Sequence, residues 1–364
     1  MLWRAYALLS HGGDRMGLGT RINLWRGHGK PNPCRQPDDV LAILEQADAA
    51  LWSASALAAC AESGLLRQLE RPVTIEDLSR ALAMPPALAG SLVGVLAGYG
   101  LVTWSRDRVQ AAPALLPFTS PEGAAAFRAA LRAPLLQTED FRRRLGEGAL
   151  ALDGWTHTDE AVIEAQGGLT RLWTDAALPR LKFLPGLVAR LESPGAALLD
   201  VGAGAAGLSI ALCRAFPHLS AVALEPAPHP AAIGERHVRE AGLAGRIAIR
   251  RERVEHLDDE GAFDLAFLPQ MFLPDAIIAE TLQRSIRALR PGGWLLVAAL
   301  AHEGHDVASA VNRLKNLLWG GNTRDMAGLK QGLAAAGFDP VIRAPGGRAL
   351  RMICARRPIM RNSP

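Results

Sequence analysis

Residues 196–207, Ala-Ala-Leu-Leu-Asp-Val-Gly-Ala-Gly-Ala-Ala-Gly, decide the fold of this chain. The apolar run at the start of the stretch has the length and composition of a buried strand. Gly202, Gly204 and Gly207 follow it, and glycine lets a backbone turn sharply and approach a ligand closely. A helix is predicted next, over 208–216. A strand, a glycine turn and a helix in this order indicate the beginning of a parallel α/β sheet.

Strands and helices continue to alternate after this stretch. Strands are predicted at 197–201, 220–224, 246–251, 263–268, 294–297, 340–344 and 349–355, and helices at 275–289 and 325–336. Pro291-Gly292-Gly293 is predicted to be a tight turn between a helix and the fifth strand. We therefore predict an α/β fold with a Rossmann-like, seven-stranded domain over 191–357, followed by a tail at 358–364.

The part of the chain before this domain has a different pattern. Residues 38–120 show three helical segments and then a hairpin, the arrangement of a winged-helix-like domain. Such domains either bind DNA or mediate dimerisation. The segment 86–97, which would enter the DNA groove, contains no Arg, Lys, Asn or Gln to contact a base or a phosphate. We therefore favour a mainly helical dimerisation domain and a homodimer, with 121–190 as a helical connector and substrate lid.

Charge and cysteine content narrow the class of protein. Of the net charge of +4, residues 1–37 carry six basic side chains and one acid, a net of +5, which leaves −1 for the rest. This basic leader is predicted to be poorly ordered, and the nearly neutral body does not favour nucleic acid as a partner. The four cysteines form no CxxC pair, and no uninterrupted apolar window reaches about 18 residues. These features predict a cytoplasmic protein without a membrane partner.

A carboxylate follows the glycine turn at a distance that suits a nucleoside. Glu225 ends the second strand, 18 residues after Gly207, where it can accept hydrogen bonds from ribose hydroxyls. The spacing Gly202-x-Gly204-x-x-Gly207 also fits a nicotinamide-dinucleotide fingerprint. Asp200 opposes that alternative, because a carboxylate directly before the glycines would repel a pyrophosphate but attract an amino group.

The order of these motifs resembles that of class I S-adenosylmethionine-dependent methyltransferases. The resemblance rests on Asp200-Val-Gly-Ala-Gly204, Glu225, Phe263-Asp264-Leu265 and Leu289-Arg290-Pro291-Gly292-Gly293, and covers about residues 196–300. With the winged-helix-like segment in front, the chain is similar to the small-molecule O-methyltransferases that carry an N-terminal dimerisation domain. The resemblance implies S-adenosylmethionine as cofactor and a small-molecule acceptor, with O-methylation in secondary metabolism as the reaction.

The resemblance also implies roles for individual residues. Gly202, Gly204 and Gly207 would approach the methionine part of the cofactor, with Asp200 nearby. The remaining predicted cofactor contacts are Glu225 with Pro226 at the ribose, Arg253 and Val254 at the adenine, and Pro269 and Gln270 beside the sulfonium.

Three positions depart from the family pattern. The third glycine of the usual turn falls at Ala206, and Arg253 stands where an acid commonly contacts the adenine amino group. A guanidinium cannot accept that hydrogen bond, although it can stack on the ring. No histidine occurs in the segment 268–275, where plant-type members carry their general base.

Other residues could supply the missing base and the acceptor pocket. His302 and His305 follow the fifth strand, and an imidazole can take a hydroxyl proton near neutral pH. Two solvated loop histidines are the alternative. Trp173, Met271, Phe272 and Trp319 are candidates for the substrate pocket or for ordinary packing. No metal site is predicted, because His-x-x-His with one Glu lacks a further ligand.

The missing histidine leaves two other functions open. One is an enzyme of the same fold that uses S-adenosylmethionine for a non-methylating reaction. The other is a winged-helix regulator that binds DNA, which the uncharged segment 86–97 opposes.

Overall fold

The computed structural model describes residues 36–150, 152, 154–321, 324–344 and 350–359. These residues divide into two compact units, 36–142 and 143–359. The predictions for the leader before residue 36 and for most of the tail lie outside the described residues.

The first unit contains the helices and the hairpin that the sequence indicates. Its elements are α1 (Pro37–Glu62), α2 (Leu65–Gln68), α3 (Ile75–Leu82), α4 (Pro86–Gly98), β1 (Val102–Ser105), β2 (Arg108–Ala111) and the start of α5 (Pro121–Gly146). Thr74 caps α3, because its hydroxyl accepts a hydrogen bond from the backbone amide of Asp77 at 3.1 Å. The hairpin pairs Val102 with Ala111 in antiparallel register.

Helix α1 leaves most of its apolar side chains uncovered in the single chain. Its exposed apolar residues are Val40, Leu41, Ile43, Leu44, Leu51 and Trp52. By length and composition α1 could reach across a membrane, although the sequence has no uninterrupted apolar window of that length. A single helix of this kind is weak evidence for a membrane span, and an exposed apolar helix is equally a surface for a protein partner.

The second unit holds the large sheet and the helices on its two faces. Its helices are α6 (Glu160–Ala177), α7 (Leu187–Leu191), α8 (Gly207–Ala215), α9 (Pro228–Glu240), α10 (Asp275–Ala288), α11 (Val307–Leu318) and α12 (Met326–Ala335). Its strands are β3 (Ala197–Val201), β4 (Ser220–Leu224), β5 (Ile247–Arg250), β6 (Phe263–Pro269), β7 (Leu289–Leu300), β8 (Val341–Arg343) and β9 (Leu350–Arg356). Apolar side chains pack on both faces of the sheet, as a parallel sheet covered by helices requires.

The sheet has the strand order β5-β4-β3-β6-β7-β9-β8, which confirms the predicted seven-stranded Rossmann-like fold. The first five strands in this order run parallel, and β9 pairs antiparallel with β7 and β8. The chain leaves β3 on one side for β4 and returns on the other side at β6. Ligands bind at such a switch point, outside the carboxyl ends of the strands, so Val201 and Pro269 mark the expected site.

The segment Pro291-Gly292-Gly293 lies within β7, so its prediction as a turn before the strand was wrong. Leu289 already pairs with Phe263, and the regular pairing resumes only where Trp294 meets Leu265. The extra residues form an irregularity in the strand, and Gly292 adopts a φ of +78° there. The pairing partner on β6, which a local pattern does not reveal, decides between a turn and a bulge.

Asp264 connects this irregularity to the start of β3. Its buried carboxylate accepts hydrogen bonds from the backbone amide of Ala197 at 3.1 Å and from the guanidinium of Arg190 at 3.2 Å, and it pairs with Arg290. Arg190 also donates to the carbonyl of Pro291 at 2.8 Å. The family motif that contains Asp264 and Arg290 therefore stabilises the edge of the sheet where β3 and β6 begin, opposite the ligand edge.

Candidate functional site

The glycine turn after β3 presents an open stretch of backbone. Gly202 and Gly204 have φ values of +64° and +53°, a region that side chains rarely adopt. A Cβ atom added at Gly204 would meet nothing within 4 Å, so there is open space beside its Cα atom. Ala206, the place of the third family glycine, adopts the same left-handed conformation with a φ of +61°. The turn therefore keeps the glycine geometry even with alanine at this position.

Glu225 closes the turn from the neighbouring strand. One of its carboxylate oxygens accepts a hydrogen bond from the backbone amide of Gly204, and the other accepts one from the amide of Ala227, both at 2.9 Å. A carboxylate has about four acceptor sites, so each oxygen can still accept a hydrogen bond from a hydroxyl group. Burial raises the pKa of Glu225, while the two backbone hydrogen bonds oppose that shift.

Asp200 is buried at the end of β3 and is held by the following helix. The hydroxyl of Ser209 donates a hydrogen bond to its carboxylate at 2.7 Å. Burial raises the pKa of Asp200 to about 7, and the nearby charge of Glu225 acts in the same direction. A cationic group bound at this turn would be stabilised by the ionised form of Asp200.

Gly207 has a packing role that the fingerprint spacing does not indicate. It is the first residue of α8, and a Cβ atom there would lie 2.5 Å from the carbonyl oxygen of Gly167 on α6. A Cβ atom on Gly167 would in turn lie 2.7 Å from that of Ala205. Gly207 is buried against α6, so its prediction as a ligand contact is replaced by one of close helix packing.

A histidine and a glutamate support the turn from behind, and the sequence analysis missed both. Nδ1 of His237 on α9 lies 3.2 Å from the carbonyl oxygen of Ala205, and Nε2 lies 2.8 Å from the carboxylate of Glu164 on α6. Arg236 pairs with the same Glu164. These contacts join α6, α9 and the turn. Only the three-dimensional structure brings these residues together, because more than 70 positions separate Glu164 from His237.

The predicted adenine contacts have contrasting positions. Arg253 is exposed after β5, and in the described part of the chain its guanidinium has no hydrogen-bonded partner. Val254 is buried in the core beside Leu224 and Val201. Pro226 is exposed directly after Glu225. Arg253 and Pro226 are thus accessible to a ligand on this side of the turn, whereas Val254 contributes to packing.

Pro269 and Gln270 lie at the carboxyl end of β6, beside the glycine turn. A Cβ atom at Gly202 would lie 3.7 Å from the ring of Pro269, so the two predicted cofactor residues are neighbours. Gln270 is buried, and its side-chain amide donates a hydrogen bond to the carbonyl of Gly321 at 2.6 Å. Gln270 therefore anchors the loop after α11 to the end of the central sheet.

Aromatic side chains converge next to this anchor. The ring centroids of Phe272 and Trp319 are 5.1 Å apart, those of Phe272 and Trp155 are 5.1 Å apart, and those of Trp155 and Trp319 are 6.0 Å apart. Met271 is buried in the same cluster, and His157 lies 4.5 Å from Trp155. We call Trp155, Phe272 and Trp319 the aromatic cluster. Of the predicted pocket residues, Met271, Phe272 and Trp319 thus come together.

Backbone contacts explain why the cluster forms. A Cβ atom at Gly320 would lie 2.3 Å from the Cα atom of Gly154, and one at Gly321 would lie 2.3 Å from the backbone of Met271. Three chain segments therefore approach one another more closely than side chains permit. Trp173, the remaining predicted pocket residue, lies half-buried on α6 and is not part of the aromatic cluster.

The two candidate histidines after β7 differ in their surroundings. His305 is exposed, in line with the alternative of a solvated loop histidine. His302 is only 6% exposed, and its Nε2 atom has no hydrogen-bond partner among the described residues. The guanidinium of Arg313 donates to the backbone carbonyl of His302 at 2.6 Å. His302 therefore stays a candidate for the general base, whereas the exposed position of His305 does not favour that role. In the described ranges, no group of three or more His, Cys, Asp or Glu residues is arranged to hold a metal ion.

Comparisons with known proteins agree with this geometry. Residues 198–293 match the family model of a methyltransferase domain. The chain is 30% identical over 155 residues to L-tyrosine C(3)-methyltransferase from Streptomyces lavendulae, a match that covers 39% of this chain and 41% of that protein. It therefore spans about two fifths of the length of this curated relative.

Two solved structures resemble the whole fold. An O-methyltransferase family protein from Burkholderia thailandensis has a TM-score of 0.58 at 17% identity, over 88% of this chain and 99% of its own. Human N-acetylserotonin methyltransferase, solved in complex with S-adenosylmethionine, has a TM-score of 0.59 at 15% identity, over 90% of this chain and 100% of its own.

These comparisons confirm the predicted class I methyltransferase domain and its fold. The match to a methyltransferase domain agrees with the predicted S-adenosylmethionine cofactor rather than with the nicotinamide alternative. The residues present fit this cofactor. Space is open beside the Cα atom of Gly204, Glu225 keeps an acceptor site on each oxygen, and the carboxyl of Asp200 lies on the preceding strand.

Proposed function

We propose, from the premise that this chain carries a class I methyltransferase domain, that it transfers a methyl group from S-adenosylmethionine to a hydroxyl group of a small aromatic acceptor. The observation that carries the proposal is the position of the aromatic cluster. Gln270 joins the end of β6 to Gly321, so the cluster lies directly beyond the strand that borders the glycine turn. A cofactor held by the turn and a ring held by the cluster would be neighbours.

The residues of the turn would bind and orient the cofactor. We assign the ribose hydroxyls to Glu225, whose two oxygens each keep an acceptor site, and the methionine amino group to Asp200. When bound, S-adenosylmethionine supplies a methyl group that its sulfonium already activates. Positioning of the two reactants can therefore provide much of the catalysis.

The residues beyond β6 and β7 would receive the acceptor. Its ring would stack within the aromatic cluster, because aromatic side chains favour offset or edge-to-face contacts at these distances. As the oxygen–methyl bond forms and the sulfur–methyl bond breaks, the hydroxyl proton would pass to Nε2 of His302. This nitrogen is buried and has no competing partner in the described structure, which suits a general base.

We further propose that the first unit mediates a homodimer through α1. This helix exposes six large apolar side chains, and exposed apolar patches on a protein surface mark sites of interaction. The uncharged α4 supports dimerisation in place of DNA binding, because it has no Arg, Lys, Asn or Gln to contact a base edge or a phosphate. We also propose that the enzyme acts in the cytoplasm, on an acceptor of secondary metabolism.

Calorimetry followed by product analysis tests the proposed function. The full-length protein should bind S-adenosylmethionine, and in the presence of its acceptor it should release S-adenosylhomocysteine together with a methylated product. Saturation by a nicotinamide cofactor without heat from S-adenosylmethionine would exclude the proposal. Turnover of the acceptor without S-adenosylhomocysteine would instead indicate a non-methylating reaction.

A further inference from the structure

The helix that follows His302 carries a second buried polar atom without a partner. Asn316 on α11 is 1% exposed, and its side-chain oxygen has no hydrogen-bond partner among the residues that the structure describes. A buried polar group without a partner is costly, commonly by 1–3 kcal/mol in mutational data, and each native example requires an explanation. An oxygen of this kind is an acceptor that a ligand can satisfy.

Hydrogen bonds show which face of α11 is turned toward the end of β7. Asn312, one helical turn before Asn316, donates its side-chain amide to the carbonyl of Ala301 at 2.6 Å. Trp319, three residues after Asn316, packs against Ala298 and Leu300 of β7. Residues three and four apart share a helix face. Asn316 therefore lies between two contacts to the end of β7, next to the aromatic cluster.

His302 follows the end of β7, whose buried residues contact the same cluster. Successive residues of a strand alternate between its two faces, so Ala298 and Leu300 share one face, and His302 lies two residues beyond the end of the strand at Leu300. Ala298 and Leu300 both contact the aromatic cluster through Trp319. The two partnerless atoms, Nε2 of His302 and the side-chain oxygen of Asn316, thus belong to the two segments next to the aromatic cluster, the end of β7 and α11.

We propose that Asn316 is a specificity residue, and that the acceptor is an aromatic molecule with two hydrogen-bond donors, one for His302 and one for Asn316. The inference rests on the proposed function and narrows its substrate class to rings with a second hydroxyl besides the one that is methylated. A neutral imidazole accepts one hydrogen bond at its unprotonated nitrogen, and an amide oxygen accepts up to two. A ring with a single hydroxyl would leave one of the two buried acceptors unsatisfied.

Fluorine NMR with simple phenols tests this inference on the full-length protein. The probes are 4-fluorocatechol and 5-fluororesorcinol, which carry two hydroxyls, and 4-fluorophenol, which carries one. We expect at least one dihydroxy probe to bind about tenfold more tightly than 4-fluorophenol, as one additional buried hydrogen bond allows. Asn316→Leu should reduce the probe ratio, the affinity for the dihydroxy probe divided by that for 4-fluorophenol, to near one. His218→Ala, at an exposed histidine, should leave the probe ratio unchanged.

The melting temperature separates recognition from a structural role. Because the side-chain oxygen of Asn316 makes no hydrogen bond in the described structure, N316L should keep or raise the melting temperature. A lower melting temperature, or a probe ratio that N316L leaves intact, would overturn the inference. The ratio is measured with and without S-adenosylhomocysteine. If the protein does not bind S-adenosylhomocysteine, that result counts against the proposed function. The role of Asn316 is decided by the probe ratio alone.

Discussion

Glu225 accepts a hydrogen bond from the backbone amide of Gly204 at 2.9 Å, so the acid assigned to the ribose also fixes the turn that faces the cofactor. The bond crosses from the end of β4 to the loop after β3. A substitution at Glu225 should therefore affect the shape of the turn as well as the contact with the ligand.

Glu225→Gln should weaken binding of S-adenosylmethionine by about 10- to 100-fold, because hydrogen bonds to a charged group contribute roughly 1.5–3 kcal/mol. Isothermal titration calorimetry measures the change in Kd. Glu240→Gln, at the exposed last residue of α9, is the matched control. This variant should bind S-adenosylmethionine as the wild type does. Equal affinity of E225Q and the wild type would contradict the assignment of Glu225.

Asp200 should make the ligand-free protein less stable as the pH rises from about 4 to 7. Its pKa in the folded state is raised to about 7 from the ordinary value of 3.8, so the folded state holds the proton more tightly than the unfolded chain does. Stability is then greatest below the unfolded pKa and declines until the folded pKa is passed. Denaturant titrations across this range should show a smaller decline for Asp200→Asn.

The remaining decline in D200N has an expected source. Burial also raises the pKa of Glu225, which gives a dependence of the same sign. Parallel curves for D200N and the wild type would show that Asp200 is already ionised in the folded protein.

Gly207→Ala should destabilise the second unit, because the new methyl group would lie 2.5 Å from the carbonyl oxygen of Gly167. Overpacking of this kind typically costs about 1–3 kcal/mol. Chemical denaturation of G207A measures the loss. The control is Gly245→Ala, where a Cβ atom meets nothing within 4 Å and φ is not positive, so its stability should change by less than about 0.5 kcal/mol.

Asp264→Asn should lower stability by about 2–3 kcal/mol, because the change removes the negative charge that two arginines share at a buried carboxylate. Asp258→Asn provides the comparison, since Asp258 forms a single ion pair, with Arg284, and its side chain is 91% exposed. Exposed pairs contribute at most about 1 kcal/mol. If D264N and D258N unfold at the same denaturant concentration, the ion pairs of Asp264 contribute no more to stability than the exposed pair of Asp258 does.

The architecture of the second unit could be predicted because its signals are local. Apolar runs of five to seven residues, separated by helical segments, place β3, β4 and β6 within one residue of their observed bounds. The antiparallel pair β8 and β9 was predicted equally closely. Burial on both faces of a parallel sheet produces such runs directly, so no knowledge of tertiary contacts is needed.

The features that could not be predicted depend on contacts between distant segments. Gly207 fits a ligand fingerprint, but Gly167, forty residues earlier, determines that it packs against a helix. The strand pairing of β6 determines that Gly292 belongs to a bulge. His302 and His305 are indistinguishable in the sequence, because only the tertiary structure buries one of them. The spacing of Asn312, Asn316 and Trp319 was the one available signal for a polar group on an inward helix face.

The close approach of Gly320 to Gly154 and of Gly321 to Met271 means that main-chain atoms form one wall of the aromatic cluster. Such a wall keeps its position when the rings in front of it are exchanged. Related enzymes could therefore acquire new acceptors by replacing Trp155, Phe272 or Trp319 one at a time, while the scaffold behind these side chains stays the same.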